Sequence, residues 1–280
     1  MNLLPLPKQL QIVNALAEGC SIRATARMVG VEHKTVMRVL LRAGESCLQL
    51  LDSKIRGVRA KRVQVDEIWT YVFKKEARIA SDDPPEWGDE YVFIGMDADT
   101  KLAISHRIGK RDATTAYYLM QDLQSRLENR VQLTTDGFKP YLRAVEDSFG
   151  ADVDYAMLVK LYGSEKGESE GPAWYGPAKV VAAMPQPIIG RPQLRYVSTS
   201  YIERQNLTIR MQARRFTRLT NAFSKKLENL KAQVALHFAY YNFVRIHQTL
   251  RCTPAMEAGI ADHVWTLGEL LTGSRHIKAA

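Results

Sequence analysis

At Val63 the spacing of apolar residues changes from helical to strand-like, and this change limits the chain to an α/β architecture. Before it, Leu10, Val13, Leu16 and Ala17 recur at helical spacing up to Gly19. Ser21 is placed to cap a second helix through Ile22, Ala26 and Val29, and Gly30 makes a turn. Residues 32–41 predict a third helix with Val36, Val39 and Leu40 inward. After the change, Val63, Val65, Ile68, Tyr71, Val72 and Phe73 form a β-rich run that ends in a polar hairpin or loop at Asp82-Asp83-Pro84-Pro85. Residues 91–96 and 102–108 are the next strands, joined by Asp97-Ala98-Asp99-Thr100. Asp112 caps a helix through Tyr117, Leu119, Met120, Leu123 and Leu127. Residues 131–135 make a fourth strand, and 139–149 a further helix with Pro140 in its first turn. Three strands, then helix, strand and helix predict a mixed sheet with helices packed on it.

The three N-terminal helices, with a Gly turn before a basic last one, form a helix-turn-helix pattern over residues 1–43. In that reading His33, Lys34, Thr35 and Arg38 face the major groove of DNA; a plain three-helix bundle shows the same spacing. Residues 44–62 read as a helical connector with Leu48, Leu50 and Leu51 apolar, ending in a basic run in which Arg59, Lys61 and Arg62 can touch backbone phosphates. An ordinary solvated charge run has the same composition.

Charge is distributed in blocks. Residues 1–62 carry 11 Lys and Arg against 4 Asp and Glu, residues 63–194 carry 15 against 21, and residues 195–251 carry 11 against 2. Two basic regions flank an acidic one, which makes nucleic acid the first partner to consider, beside a merely soluble basic surface. No apolar run reaches the roughly 18 residues of a membrane span, and the first residues lack the basic start and length of a signal peptide. A cytoplasmic, nucleoid-associated protein is expected. Cys20, Cys47 and Cys252 are far apart and form no C-x-x-C pair, so neither a disulfide framework nor a zinc finger is indicated.

Within the second basic region Glu203 is nearly alone, and an isolated carboxylate there attracts or replaces a cation. Ser200-Tyr201-Ile202-Glu203 also fits a capping box, which needs no chemistry. Two further acids have suitable settings. Asp66 lies in the first strand, where a carboxylate among β-branched and aromatic residues calls for a partner. Asp136 precedes Gly137 in a hairpin-like dipeptide, but a helical pattern follows, which places it at the C-terminal end of a strand, where open α/β sheets keep functional groups. Three such carboxylates suit Mg²⁺, with Mn²⁺ as substitute, and two ions can serve an in-line displacement at phosphorus. Residues 161–194, rich in Gly and Pro and containing Trp174 and Tyr175, read as an insertion or long loop. Residues 221–241 predict a long helix, and His247 beyond it reads as a packing or capping histidine.

The segments Gln64-Val65-Asp66-Glu67-Ile68-Trp69, Thr134-Thr135-Asp136-Gly137 with Tyr141, Ser198-Thr199-Ser200-Tyr201-Ile202-Glu203-Arg204-Gln205-Asn206, and Tyr241-Asn242 with Arg245, His247 and Thr253-Pro254 resemble the DDE transposases of bacterial insertion sequences, most closely the insertion-sequence-one type. The resemblance implies an RNase H-like catalytic domain over residues 63–258, preceded by the helix-turn-helix and followed by a tail at 259–280. It implies Asp66, Asp136 and Glu203 as catalytic metal ligands, double-stranded DNA of the element ends and target as the partner, and a homodimer or larger assembly on that DNA. It also implies cleavage followed by strand transfer, in which a freed 3′-OH attacks. Arg204, Asn206, Arg210, Arg214 and Arg215 are the expected DNA contacts of this region. The cysteine-rich zinc motif with which relatives of this type often begin is absent, so end recognition falls to the helix-turn-helix. Two other classes compete: a domesticated or inactive transposase-derived DNA-binding protein, and a structure-selective nuclease or RNase H that cleaves without strand transfer.

Overall fold

Ser21 and Gly30 delimit the second of three N-terminal helices in the computed structural model, which describes residues 4–162, 180–218 and 220–272. Helix α1 spans Leu6–Ala17, α2 Ile22–Val29 and α3 His33–Lys54. The Ser21 hydroxyl accepts the Ala24 N–H at 3.1 Å, and Gly30 ends α2 in the left-handed region at φ 66°, which glycine adopts without steric cost. Ile12, Val13, Leu16, Val36, Val39 and Leu40 close the core between the three.

The expected third helix and the expected connector are one element, since α3 continues for 22 residues to Lys54 and only residues 55–61 are non-helical. Gly44, the weakest helix former in that stretch, is where α3 touches α7 (Leu227–Phe243). A Cβ at Gly44 would lie 2.4 Å from the Ala232 Cα, so the bare glycine lets the two backbones meet. Helix α7 begins six residues later than the expected 221–241. It is buried around most of its circumference, as a helix apolar on every side must be. Near its end Asn242 binds both backbone groups of Ala103, at 3.0 Å and 2.9 Å, and so fixes α7 to the sheet.

The sheet contains β1 (Arg62–Val72), β2 (Gly88–Asp97), β3 (Ala103–Gly109), β4 (Gln132–Asp136), β5 (Asp154–Tyr162) and β6 (Val180–Ile189), in the order β3-β2-β1-β4-β5-β6. β1, β2 and β3 form an antiparallel meander, β4 and β5 lie parallel to β1, and β6 returns antiparallel to β5. The parallel steps are made by α4 (Ala113–Arg126), capped as expected by Asp112, and α5 (Pro140–Phe149), with Pro140 at its start. N-terminal helices followed by this six-stranded mixed sheet with flanking helices make an α/β protein of RNase H-like form.

The span 161–194 is not a loop at both ends: β5 enters it and β6 occupies residues 180–189. Pro185 and Pro187 argue against a strand in sequence, yet an edge strand has a free side on which a missing N–H costs nothing. Trp174 and Tyr175 lie outside the described residues. After α6 (Ser200–Gln212) and α7 come α8 (Pro254–Glu257) and α9 (Leu267–Thr272), and buried Leu270 ties the first part of the expected tail to the core. Among the described residues no helix is long and apolar enough to cross a membrane.

Candidate active site

Successive residues of a strand face opposite sides, so on β1 Gln64 and Asp66 share one face and Glu67 takes the other. Helix α6 covers the first of these faces. The Gln64 side-chain oxygen accepts the N–H groups of Tyr201 at 3.0 Å and Ile202 at 3.1 Å, two of the unpaired donors at the start of α6. One turn on, the Asn206 amide donates to Asp66 Oδ2 at 2.9 Å. The helix is thus joined to β1 at two points on one face. The expected capping box is not formed as read. Thr199 is the N-cap residue, its hydroxyl donates to Glu203 Oε1 at 2.5 Å, and Gln64 caps the helix from the sheet.

Asp136 ends β4. The parallel register of β1 and β4 closes at Val65↔Thr135, so Asp66 and Asp136 follow side by side where the two strands part. Each of Asp66, Glu67 and Asp136 offers a carboxylate oxygen, and these lie within 4.8 Å of one another. Asp136 is oriented by the Phe138 N–H, which donates to Oδ1 at 3.0 Å. Glu67 is largely satisfied: Arg111 is ion-paired to Oε1, and the buried Tyr141 hydroxyl donates to Oε2 at 2.9 Å. The same Arg111 guanidinium approaches Asp136 Oδ2 at 3.9 Å and stacks on Phe138 with its carbon 4.1 Å from the ring centre.

Among the described residues Asp66 has no ion-pair partner. Burial, then the nearby charges of Glu67, Asp136 and Glu203, push its carboxyl up to about 8, against a small opposing backbone hydrogen bond. Glu67 is also raised, by burial and by Asp136, with Arg111 and Tyr141 opposing. Burial raises the Tyr141 hydroxyl well above its ordinary value, so it stays a proton donor.

Glu203 stands apart from the cluster of three. Its side chain is 45% exposed and is ion-paired to Lys160 of β5. The structure therefore brings Asp66 and Asp136 together and adds Glu67, while Glu203 sits across the α6 face, close enough for its charge to act on Asp66. Sequence reasoning singled out neither Gln64 nor Lys160 for a role. The same-face spacing of Gln64 and Asp66 is a signal available in the sequence, whereas Lys160 lies on a strand not anticipated.

The expected DNA contacts fall into two sets. His33, Lys34 and Arg38 are exposed at the start of α3, with Thr35 half-buried beneath Arg38, whose guanidinium donates to its hydroxyl at 3.3 Å. Lys61 and Arg204 are exposed, and Arg210 and Arg214 half-buried. The others have partners within the protein. Arg59 is bidentate to Glu128 at 2.8 Å and 3.0 Å, and Arg62 pairs with Asp99 beneath the Tyr196 ring. Asn206 is committed to Asp66, and Arg215 donates to Ser224 at 2.8 Å. His247 is half-buried in a turn where its N–H donates to the Cys252 carbonyl at 2.9 Å.

No family sequence model matches this chain. No curated protein sequence matches it either. Among solved structures, a Mos1 transposase paired-end complex with the left transposon end is 15% identical, covering 55% of this chain and 60% of that one, with a TM-score of 0.25. The Mos1 strand transfer complex is 16% identical over the same shares, also at 0.25. A piggyBac transposase synaptic complex with hairpin DNA is 10% identical, covering 90% of this chain and 56% of that one, at 0.38. The chain spans less than two thirds of the length of each.

Proposed function

We propose that this chain is a DNA transposase of the DDE type, which cuts the ends of its element and joins them to target DNA through Asp66, Asp136 and Glu203. The observation that supports the reading most is the pairing of Asp66 with Asp136 where β1 and β4 part, with α6, the helix that carries Glu203, joined through Tyr201 and Asn206 to the Asp66 face of β1. Crowded carboxylates, of which Asp66 has no ion-pair partner among the described residues, fit a divalent ion, and an all-oxygen donor set suits Mg²⁺, with Mn²⁺ as substitute. When bound, a pair of such ions supplies activation of the attacking oxygen and stabilisation of the leaving one.

The chain's own residues do the positioning. Asn206 orients Asp66, the Phe138 N–H orients Asp136, and Arg111 with Tyr141 holds Glu67 as a satisfied neighbour rather than a ligand. Glu203, ion-paired to Lys160 in this structure, would be the third residue to hold the metal, and Lys160 is the group that neutralises its charge here. His33, Lys34 and Arg38 on the N-terminal module over residues 1–43 serve recognition of the element ends. Arg204 and Arg210 on α6 hold backbone phosphates near the carboxylates. Two copies acting together bring two ends into one reaction. The Lys160–Glu203 pair favours one second reading, a transposase-derived protein that binds DNA without cutting it, because there the third acid already has its cation.

The test is Mg²⁺-dependent cleavage and strand transfer on DNA carrying the element's ends, comparing wild type with Glu203→Gln. The enzyme reading expects the variant to fold and bind DNA but to lose both reactions. Wild type that binds yet cuts with neither Mg²⁺ nor Mn²⁺ gives the binding reading the case. Equal cutting by both proteins removes Glu203 from the site, and cutting without joining, indifferent to end sequence, marks a nuclease.

A further inference from the structure

Further along the two elements that carry Asp66 and Glu203 lies a cleft of about 470 Å³. Trp69 of its lining is three residues along β1 from Asp66, about 10 Å at strand rise. Arg210, also in the lining, is seven residues along α6 from Glu203, about 10 Å and two turns on, which returns it to the same helix face. One wall is aromatic. Trp69 and Tyr71 have ring centres 5.6 Å apart, Tyr71 stacks on Phe223 at 4.9 Å, and all three rings remain partly exposed.

The charged groups of the lining are all cationic. Arg210, Arg215 and Arg218 line it with Lys75, whose ammonium lies 5.7 Å from the Trp69 ring centre, and no Asp or Glu among the described residues joins them. Arg215 is largely buried with a neutral Ser224 hydroxyl as its hydrogen-bond partner, and no carboxylate among the described residues pairs with it. Burial lowers its pKa to about 10, and burial with the charge of Arg218 lowers that of Arg210. Thr70, Thr217 and Asn221 add hydrogen-bonding groups at the edge.

Rings without cations would suit an apolar ligand, and cations without rings a phosphate alone. The combination suits a flat aromatic group attached to phosphates, and stacking on these rings needs a base face that a paired, stacked duplex does not offer. We infer that this cleft takes an unpaired nucleobase of DNA, stacked on the Trp69, Tyr71 and Phe223 wall, with its adjoining phosphates held by Arg210 and Arg218. That the base belongs to the strand being cut rests on the transposase reading; the capacity to hold an unpaired base does not.

The experiment is fluorescence anisotropy with the full chain in EDTA, titrating a labelled single-stranded oligothymidylate, an abasic strand of the same length and a duplex of that length. The variants are Phe223→Leu, which keeps an apolar side chain but no stacking face, and the exposed Arg218→Gln. Thermal melts accompany each. Phe223→Leu is expected to weaken oligothymidylate binding about 5- to 100-fold while duplex binding stays within about twofold. Wild type should bind the abasic strand about as weakly. Arg218→Gln should lower the salt slope for the single strand by about 1. Failure of wild type to prefer oligothymidylate over the abasic strand overturns the inference, as does equal weakening on duplex and single strand. If Phe223→Leu does not fold, the abasic strand and Arg218→Gln decide. Because no metal is present, loss of the transposase reading leaves this result standing, and the reverse also holds.

Discussion

Asp122 and Asp66 are both aspartates held partly out of water on separate elements of one fold, and the chain treats them oppositely. Asp122 on α4 accepts Arg126 at 2.7 Å and 3.1 Å, is bonded by the Ser105 hydroxyl, and has Arg107 at 3.3 Å. Arg126 in turn binds Asp52 at 2.8 Å and the carbonyls of Leu51 and Ile55. Burial alone would raise Asp122, but the bonds from Arg126 and Ser105 and the charges of Arg126 and Arg107 outweigh it and hold the carboxyl below its ordinary value. Asp66 receives only the neutral Asn206 amide and a backbone hydrogen bond at Glu67, feels the charges of three other carboxylates and is raised to about 8. The first cluster is a cross-link between α3, α4 and β3. The second crowds carboxylates around an Asp66 that has no ion-pair partner among the described residues, so it keeps its proton unless a further cation takes the proton's place, as the proposed metal site requires.

The largest effect should come from breaking the balanced cluster. Arg126→Ala removes the donor that two carboxylates and two carbonyls share, although Ser105 and Arg107 still reach Asp122 and Arg56 still pairs with Asp52, and it should cost about 3 kcal/mol in urea unfolding. A loss below about 1 kcal/mol would show that the cluster is not the cross-link it looks like. Asp66→Asn should act in the opposite direction and stabilise the metal-free protein by about 2–3 kcal/mol near pH 8 while abolishing cleavage.

The pH dependence sharpens the contrast. The Asp66 carboxyl is raised in the folded state, so between its unfolded value near 4 and about 8 the folded chain holds a proton that the unfolded chain has released. Its contribution is complete below that window and lost as pH rises through it. The stability gap between Asp66→Asn and wild type should therefore widen from about pH 5 to about pH 8.5. Asp122, lowered on folding, contributes above its unfolded value and loses that contribution as the solution becomes acidic. A gap for Asp66→Asn that is flat across this range would remove the uncompensated charge from the account.

What was legible in the sequence is what local chemistry decides. Ser21, Asp112 and Pro140 mark helix starts by rules that act within one turn, and they stand where those rules put them. The continuity of α3 was not legible, because Gly44 weakens a helix locally and is tolerated for its contact with Ala232 far along the chain. Pro185 and Pro187 hid β6, since nothing local reveals that a strand will lie at an edge. At the site, the strand placements of Asp66 and Asp136 could be read from period and flanking pattern. The balancing of Glu67 could not, for Arg111 and Tyr141 lie 44 and 74 residues away. The Ser200–Glu203 box was a correct local pattern displaced by a partner 137 residues distant in sequence, Gln64.

A thermal shift with Mg²⁺ tests the same comparison more gently. At about ten times its dissociation constant a bound ion stabilises by about 1.4 kcal/mol, so wild type should melt measurably higher with Mg²⁺. Asp136→Asn should lose the shift. Glu67→Gln should keep most of it, because Glu67 is held by Arg111 and Tyr141. Retention by Asp136→Asn together with loss in Glu67→Gln would transfer the ligand role to Glu67.

The smallest effect concerns the residue that seats α6 on β1 beside Asp66. Gln64 is 3% exposed, and its oxygen accepts two N–H groups of α6 without carrying any charge. Gln64→Leu keeps the side chain's bulk but leaves those donors without a partner, at a cost of about 1 kcal/mol, the usual worth of a helix cap. Amide exchange should quicken at Tyr201 and Ile202 first, since their protection comes from this bond rather than from the helix ladder. The Asn206–Asp66 contact one turn away depends on the same seating, so the Mg²⁺ shift should shrink although no ligand was touched. Unchanged exchange at Tyr201 and Ile202 would mean that α6 is held by its buried side chains, Ile202 and Ile209, and that Gln64 merely accompanies the contact.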